Sequence, residues 1–561
     1  MPLPDNSDSS WPPEHLRPVY AKINEWAAWF SGDPDELIAV YAGRSSETPG
    51  LLARAVRAVK RWVWGSQSSA SQPRQRVHHP LAGDIAAGAA DLLFADPPKL
   101  VIEINDRDSG VDAEGDPEGD AGDIEDEASD PTQDRLDELM DDGTFATFHE
   151  AANVASGMGG VFLRVCWDKA IDPDKPWIAA VHPDAAVPEF KYGRLWAVTF
   201  WRTIVIEGDR VVRHLEKHEV DRADPTNPKG IVRHGVYDGT MTSLGNLAAL
   251  TDFAQTAAIA EAVEFGDEIE TGHTGLAAVY IPNRRPGKAF RNVPDATAFG
   301  ESDYAGAEGM LDLLDLSYSS WGRDIDLGRA RLIVPSDYLQ SMGRGQGAEF
   351  DLDRELYEPV NSGLSDEGGL DIKEVQFAIR WAEHQESGNQ FKRDIISSAK
   401  YSPSTFGLTE GGAPVTATEV NADEGQSYTT TKGKAKYWTP GLSQIAEALL
   451  AVDKHHFQTP GIVPQKPRIE WPPAVEPDPE VESRVIVNWH TAEAVSMEER
   501  VKARRPDWTP KQVKAEVQRL KDEAKEMAPP PPDEFAFGGE TPPGEQDQPD
   551  EDEPEGPEGE A

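Results

Sequence analysis

Cysteine is almost missing from this chain: Cys166 is its only one in 561 residues. That excludes an intrachain disulfide framework and any multi-cysteine metal site, and it suits assembly in a reducing compartment. Long apolar runs are missing as well. No stretch approaches the roughly 18 apolar residues of a membrane span. The opening "MPLPDNSDSSWPPEHL" lacks the basic stretch and apolar run of a signal peptide. A soluble protein with no membrane partner is expected. Positive charge is scarce, with 54 basic against 100 acidic residues and a net charge of −46. DNA reading by phosphate neutralisation wants a basic footprint, which the chain as a whole does not have.

Part of the acid is concentrated. Residues 111–130, "VDAEGDPEGDAGDIEDEASD", hold ten acids and no base, and residues 528–561 hold twelve and no base. Setting both aside leaves −24 on the rest, which is still plainly acidic. Neither stretch carries enough apolar surface to fold, so disorder is expected in both. The length allows roughly three or four domains of about 150 residues.

Periodicity predicts an α+β, mainly helical chain. Val19, Ile23, Trp26 and Phe30 share one helical face, as do Leu81, Ile85 and Leu92. From Gly159 the period becomes two: Val161, Leu163, Val165 and Trp167 alternate in a strand, more strands follow, and Gly208-Asp209 reads as a hairpin tip. A long helix is expected from Ser302 or Asp303, with Leu314, Tyr318, Trp321 and Ile325 as its apolar stripe and "RLIV" as a closing strand. Gly-rich residues 336–370 follow, then "VQFAIR" as a strand. A second helix is expected in "WAEHQESGNQFKRDIISSAKYSP", so two helices bracket a small module.

No catalytic constellation stands out. His214 and His218 have the spacing of helical zinc ligands, but Leu215 stands where the zincin pattern needs Glu. Their context is a strand, where residues four apart lie about 13 Å from each other, so a solvated strand face is the expected reading. His78-His79 and His455-His456 are expected to point apart. "GRGQG" at 343–347 lacks the Lys-Ser/Thr ending of a phosphate-cradling loop. Cys166 is expected to pack within its strand. The expectation is therefore no enzyme, no cofactor and no metal.

In "TFGLTEGGAPVTATEV", residues 405–420, Gly411 and Gly412 can adopt positive φ at little cost. Thr416 and Glu419 have capping-box spacing. A flexible loop is thus hung on the start of a long polar helix, in which Gly425, Gly433 and Pro440 are expected to bend the axis.

Two helices bracketing a small module, a Gly/Thr loop and a long bent helix form an order that resembles the portal proteins of tailed bacteriophages, of the siphophage type. The resemblance runs over about residues 15–525. It is carried by "LAGDIAAGAADLLFADPP", "HEAANVASGMGGVFLRV", "ESDYAGAEGMLDLLDLSYSSWGRDIDLGRARLIVP", "SSAKYSPSTFGL", "TATEV" and "KAKYW". It implies a portal fold with wing, stem, clip and crown around a central channel. Residues 1–300 would be the wing, with an acidic insertion at 111–130. The first stem helix would span 301–335, the clip 336–380 and the second stem helix 381–403. Tunnel loop and bent wing helix would span 404–458, the crown 459–527 and an acidic tail 528–561.

The same resemblance implies the function and the partners. Copies would form a dodecameric ring at one capsid vertex of the virion, assembled in the host cytoplasm. Double-stranded DNA would pass non-specifically, driven inward by the terminase large subunit and later ejected. The ring would meet the major capsid protein and scaffold, and head-completion or adaptor proteins would join it to the tail. Thr405, Thr409, Glu410, Gly411, Gly412 and Thr416 would form the loop that faces DNA. Lys392 and Arg393, on the second stem helix, would make either sparse phosphate contacts or intersubunit salt bridges. The alternatives are another phage structural protein, of baseplate or scaffold type, and a head-associated hydrolase.

Overall fold

A computed structural model of the chain describes residues 10–45, 76–103, 130–262, 268–327, 379–408, 424–472, 495–505 and 510–527, with a few shorter pieces. Both acidic stretches, 111–129 and 528–561, lie outside the described residues. About 50% is helical and 21% strand, so the mixed α+β class holds. Residues 1–475 and 476–561 are separate units.

The first unit is built on α1 (Arg17–Ser31), whose Val19, Ile23 and Trp26 are fully buried. It stops where Gly32 turns left-handed at φ 66°, a conformation that favours glycine. α2 (Pro34–Ser45) follows, with Asp33 accepting from the amides of Asp35 and Glu36 at 2.8 and 3.2 Å. α3 (Leu81–Phe94) buries Ala82, Ala86, Ala89 and Ala90, small residues that let neighbouring backbones approach. Its stripe differs by one residue from expectation: Leu93 is buried and Leu92 only half-buried. After β1 (Lys99–Val101), Asp130 caps α4 (Pro131–Asp141) through the Thr132 amide at 2.8 Å. α5 (Thr144–Met158) packs on α1 and α3. A Cβ at Gly157 would sit 2.7 Å from the Phe30 ring, so this crossing needs glycine.

β2 (Gly160–Cys166) runs between β3 (Trp177–Val181) and, much later in the chain, β10 (Ala278–Pro282). Val161, Leu163 and Val165 enter the main core as their alternation predicts. Phe162 is also fully buried, because its face meets a second apolar cluster around Phe200. A meander follows: β4 (Ala186–Lys191), β5 (Arg194–Glu207), β6 (Arg210–Asp221), β7 (Lys229–Thr240) and β8 (Asn246–Ala248). Glu207 pairs with Arg210, which puts Gly208-Asp209 at the tip as expected. α6 (Ala254–Ala262) and β9 (Glu268–Glu270), paired to β7, complete this layer.

The solvated strand face expected for His214 and His218 is corrected here. They are 4% and 1% exposed. The sheet face carrying them is covered, with Arg164 of β2 reaching Glu216 across it at 2.5 Å. His214 stacks on His234 with ring nitrogens 3.1 Å apart, and His218 bonds Glu216 at 2.7 Å. Cys166 and Arg202 also border the cluster. Burial, and then the neighbouring His234, push His214 down to about 3.

α7 (Glu308–Leu327) starts five residues later than Asp303, and the reason lies in what Asp303 does in the core, described below. Beyond it come β11 (Arg331–Ile333), β12 (Gln340–Ser341), β13 (Ala348–Glu349) and β14 (Lys373–Val375). β11 pairs with β14, and β12 with β13. The closing strand expected in "RLIV" is therefore present; of the strand expected at "VQFAIR", Val375 is in a strand, 376–378 lie outside the described residues, and Ile379 and Arg380 are not in a strand. α8 (Trp381–Ser398) returns, and α9 (Gly425–Val452) runs unbroken through Pro440 into a π turn at Asp453–Phe457. In that turn the rings of His455 and His456 meet edge to face at 4.8 Å rather than pointing apart. β15 (Arg468–Glu470) pairs with β1.

The second unit holds α10 (Met497–Arg504) and α11 (Pro510–Met527). Ser496 caps the first through the Glu499 amide at 3.2 Å, and Val513 and Val517 of the second are buried.

The histidine cluster makes stability depend on pH. The unfolded imidazole titrates near 6.5, so below that pH the unfolded chain takes up a proton that the folded His214 refuses. Its contribution is complete above about pH 6.5 and lost progressively as pH falls towards the folded value. The melting temperature is expected to drop between pH 7 and pH 5, and to drop less in His214→Phe. Equal pH dependence in the two proteins would show that His214 is not the titrating group.

Candidate functional site

The site where the long helices leave the body is organised by a carboxylate. Asp303 is 1% exposed, and four donors converge on it. Asn283 reaches one oxygen at 2.8 Å; Ser156, Tyr401 and Lys434 reach the other at 2.5, 3.0 and 2.5 Å. These side chains come from the end of α5, the loop after β10, the turn after α8 and the middle of α9. Burial alone would raise the Asp303 carboxyl. The Lys434 and Arg284 charges and the hydrogen bonds outweigh it, holding the group below the usual carboxylate range. The residue that reads in sequence as a helix start is thus spent on an ion pair, and the helix begins only at Glu308.

Glu308 secures that start. It accepts from the Trp26 indole at 2.9 Å, the Lys22 ammonium at 2.6 Å and the Gly306 amide at 2.8 Å. A carboxylate in the first turn also complements the helix dipole. Two turns on, buried Asp315 accepts from Tyr41 at 2.6 Å, His78 at 2.8 Å and the His79 amide at 2.8 Å.

α7 and α8 pack antiparallel as a two-helix stalk. Tyr318 faces Gly388, whose built Cβ would lie 3.6 Å from the ring. The Trp321 and His384 rings lie parallel with centroids 6.2 Å apart, and Asp324 holds Arg380 and His384, each at 3.0 Å. Trp321 is half-buried and Ile325 is 50% exposed, so the expected stripe is covered at Leu314 and opens toward its far end.

Lys392 and Arg393 lie on the near half of α8 and are both half-buried. The Lys392 ammonium sits 5.5 Å from the centre of the Tyr318 ring, a contact within its own chain. Thr405 lies in the 3-10 turn Pro403–Phe406, with its hydroxyl 2.8 Å from that of Ser427 on α9. The Ser402 amide donates to the same Ser427 hydroxyl at 2.9 Å, and Thr430 donates to the Lys400 carbonyl at 2.5 Å. The turn after α8 is therefore tied to the first turns of α9. Thr409, Glu410, Gly411, Gly412, Thr416 and Glu419 themselves lie outside the described residues. The described helix begins at Gly425, so the expected start at Thr416 falls within that stretch.

Lys434, Ser156, Asn283 and Tyr401 were not singled out in the sequence, and Asp303 was read there only as a helix start. Lys434 stands 131 positions from Asp303. A single polar residue among so many acids carries no linear signal of burial. The chain matches no model of a known protein family, and no curated protein matches it either.

Removing one partner of a buried pair strands the other charge, at a cost of about 3–5 kcal/mol. Lys434→Met is expected to lower stability by that order in chemical denaturation, and adding Asp303→Asn to recover part of the loss. A double variant as unstable as the sum of the two singles would show that the two groups do not act as a pair.

Proposed function

We propose that this chain is the subunit of a portal-type ring, a channel through which double-stranded DNA enters and leaves a viral capsid. The observation that carries the reading is the stalk. Two antiparallel helices start beside a buried ion pair, the paired strands β11 to β14 fall between them in the chain, and the turn after α8 is tied to the first turns of a long helix. The stalk also has a second, uncovered side. Leu313 and Leu316, three apart on α7, are 47% and 46% exposed. Apolar residues left together on one helix suit an interface with a neighbouring copy.

Charge supports the same reading. A conduit has to pass DNA without gripping it, and acidic walls repel phosphates over a Debye length of about 10 Å at 0.1 M salt. Repetition around a ring multiplies each subunit's charge. In this reading Lys392 packs within its own subunit and offers little to DNA, while 409–423 faces the channel. The terminase, the capsid shell with its scaffold and the head-completion proteins are the partners, the virion vertex is the location, and the chain performs no chemistry of its own.

Negative-stain microscopy of the purified protein tests this directly. Rings with a central hole are expected, whereas a baseplate or scaffold component would not form them. Leu313→Glu combined with Leu316→Glu alters only exposed positions. It is expected to leave the melting temperature within about 1 kcal/mol equivalent of wild type while abolishing rings. Rings at wild-type yield would remove α7 from the interface.

The stretch 409–423 has its own test. Gly411→Val with Gly412→Val is expected to permit ring assembly but to reduce the DNA content of heads. Heads filled to wild-type density would make the stretch a plain connector.

A further inference from the structure

The second unit reverses the charge of the chain. Residues 500–521, "RVKARRPDWTPKQVKAEVQRLK", hold eight bases and two acids, whereas the rest of the chain holds 46 bases against 98 acids. The bases are ordered in space. On α11, Lys511, Lys514, Gln518 and Lys521 recur at intervals of three and four, which sets them on one helical face about 15 Å long. All four are exposed. Val513 and Val517, 5% and 3% exposed, mark the covered face, roughly a quarter-turn round the helix from the lysines.

The acids of α11 leave this stripe nearly free. Glu516 and Glu523 fall on the flank beyond the valines, and there Glu516 holds Arg519 at 2.8 Å. Asp522 borders the stripe and accepts from Gln518 at 3.2 Å. Lys511, Lys514 and Lys521 make no ion pair among the described residues. At the linked end of the two helices, Arg504 is exposed, and the Arg505 guanidinium lies 5.5 Å from the centre of the half-buried Trp508 ring. Helix stability does not account for the stripe, because Lys511 and Lys514, three apart, repel each other. Solubility does not account for it either, in a chain that already carries −46.

We infer that this lysine face binds the phosphate backbone of a nucleic-acid duplex without reading its bases. Ammonium groups in a row neutralise phosphates and release counterions, which is the sequence-independent part of nucleic-acid binding. A single strand would call for aromatic platforms on which its bases stack, and the stripe carries none. An acidic protein would call for an apolar anchor in a pocket, and no stripe residue is apolar. Few contacts in an acidic chain make the binding weak, in the non-specific range of about 10⁻⁴–10⁻⁶ M at physiological salt. The inference goes beyond the ring reading, in which acidic walls repel DNA, and does not depend on it.

The test is fluorescence anisotropy of a labelled DNA duplex of about 20 base pairs with the full chain, between about 50 and 200 mM salt. Lys511→Gln, Lys514→Gln and Lys521→Gln together are expected to weaken binding about tenfold or more at the lower salt. They should also make the slope of log K against log salt shallower by about 2.7, since each phosphate contact contributes about 0.9. Unchanged melting is the folding control, and arginine at the same three positions should restore the slope. A wild-type chain that leaves the duplex unbound at the lower salt would overturn the inference without any variant. So would a glutamine variant with the wild-type slope. Tighter binding of an oligothymidylate would make the face a single-strand site, and tighter binding of an oligoglutamate would make it a protein interface; either result rejects the duplex. Rings that bind no duplex remove this inference and leave the ring reading standing, while duplex binding without rings does the reverse.

Discussion

One buried ion pair joins the residues just before α7 to α5, α9 and the turn after α8. Asp303 and Lys434 meet at 2.5 Å at nearly full burial, and Ser156, Asn283 and Tyr401 complete the hydrogen bonding of the carboxylate. Two charges taken out of water cost several kcal/mol each, and only good geometry and full hydrogen bonding offset that. The constraint is therefore mutual. The end of α5, the loop after β10, the turn after α8 and the middle of α9 must all arrive together, or none of the polar groups is satisfied. Apolar packing tolerates small shifts, and a five-part polar contact tolerates much less. That is a physical reason for a stalk to stand in one orientation on the body.

The stalk repeats the device along its length. Glu308 ties the start of α7 to α1, Asp315 ties its middle to Tyr41, His78 and His79, and Asp324 ties its far part to α8. Each acid accepts from partners distant in sequence. Together they spend charge where an ordinary helix pair would use leucines. Apolar residues are left on the outer side instead, where Leu313 and Leu316 are exposed. A helix that is tied inward by carboxylates and apolar outward is built to meet a second surface.

The histidine cluster between β2 and the meander closes a sheet face in the same way. There the Arg164 guanidinium meets Glu216 at 2.5 Å, while burial keeps His214 uncharged.

The sequence by itself determined the local elements. Val19, Ile23 and Trp26 announced α1, Val161, Leu163 and Val165 announced β2, and Gly208-Asp209 announced its hairpin. In each case the information lies within a few residues, in the period with which apolar side chains recur. The order of two helices around an inserted module was legible for the same reason. Tertiary structure alone decided what those elements do. Asp303 has the appearance of a helix start until Lys434, 131 residues away, claims it. His214 and His218 have the appearance of a wet strand face until β2 brings Arg164 across to Glu216. Pairing across such distances depends on how the chain returns, and no local pattern of polar residues records it. The burial of a charge is fixed by its partner, and the partner is chosen only when the fold closes.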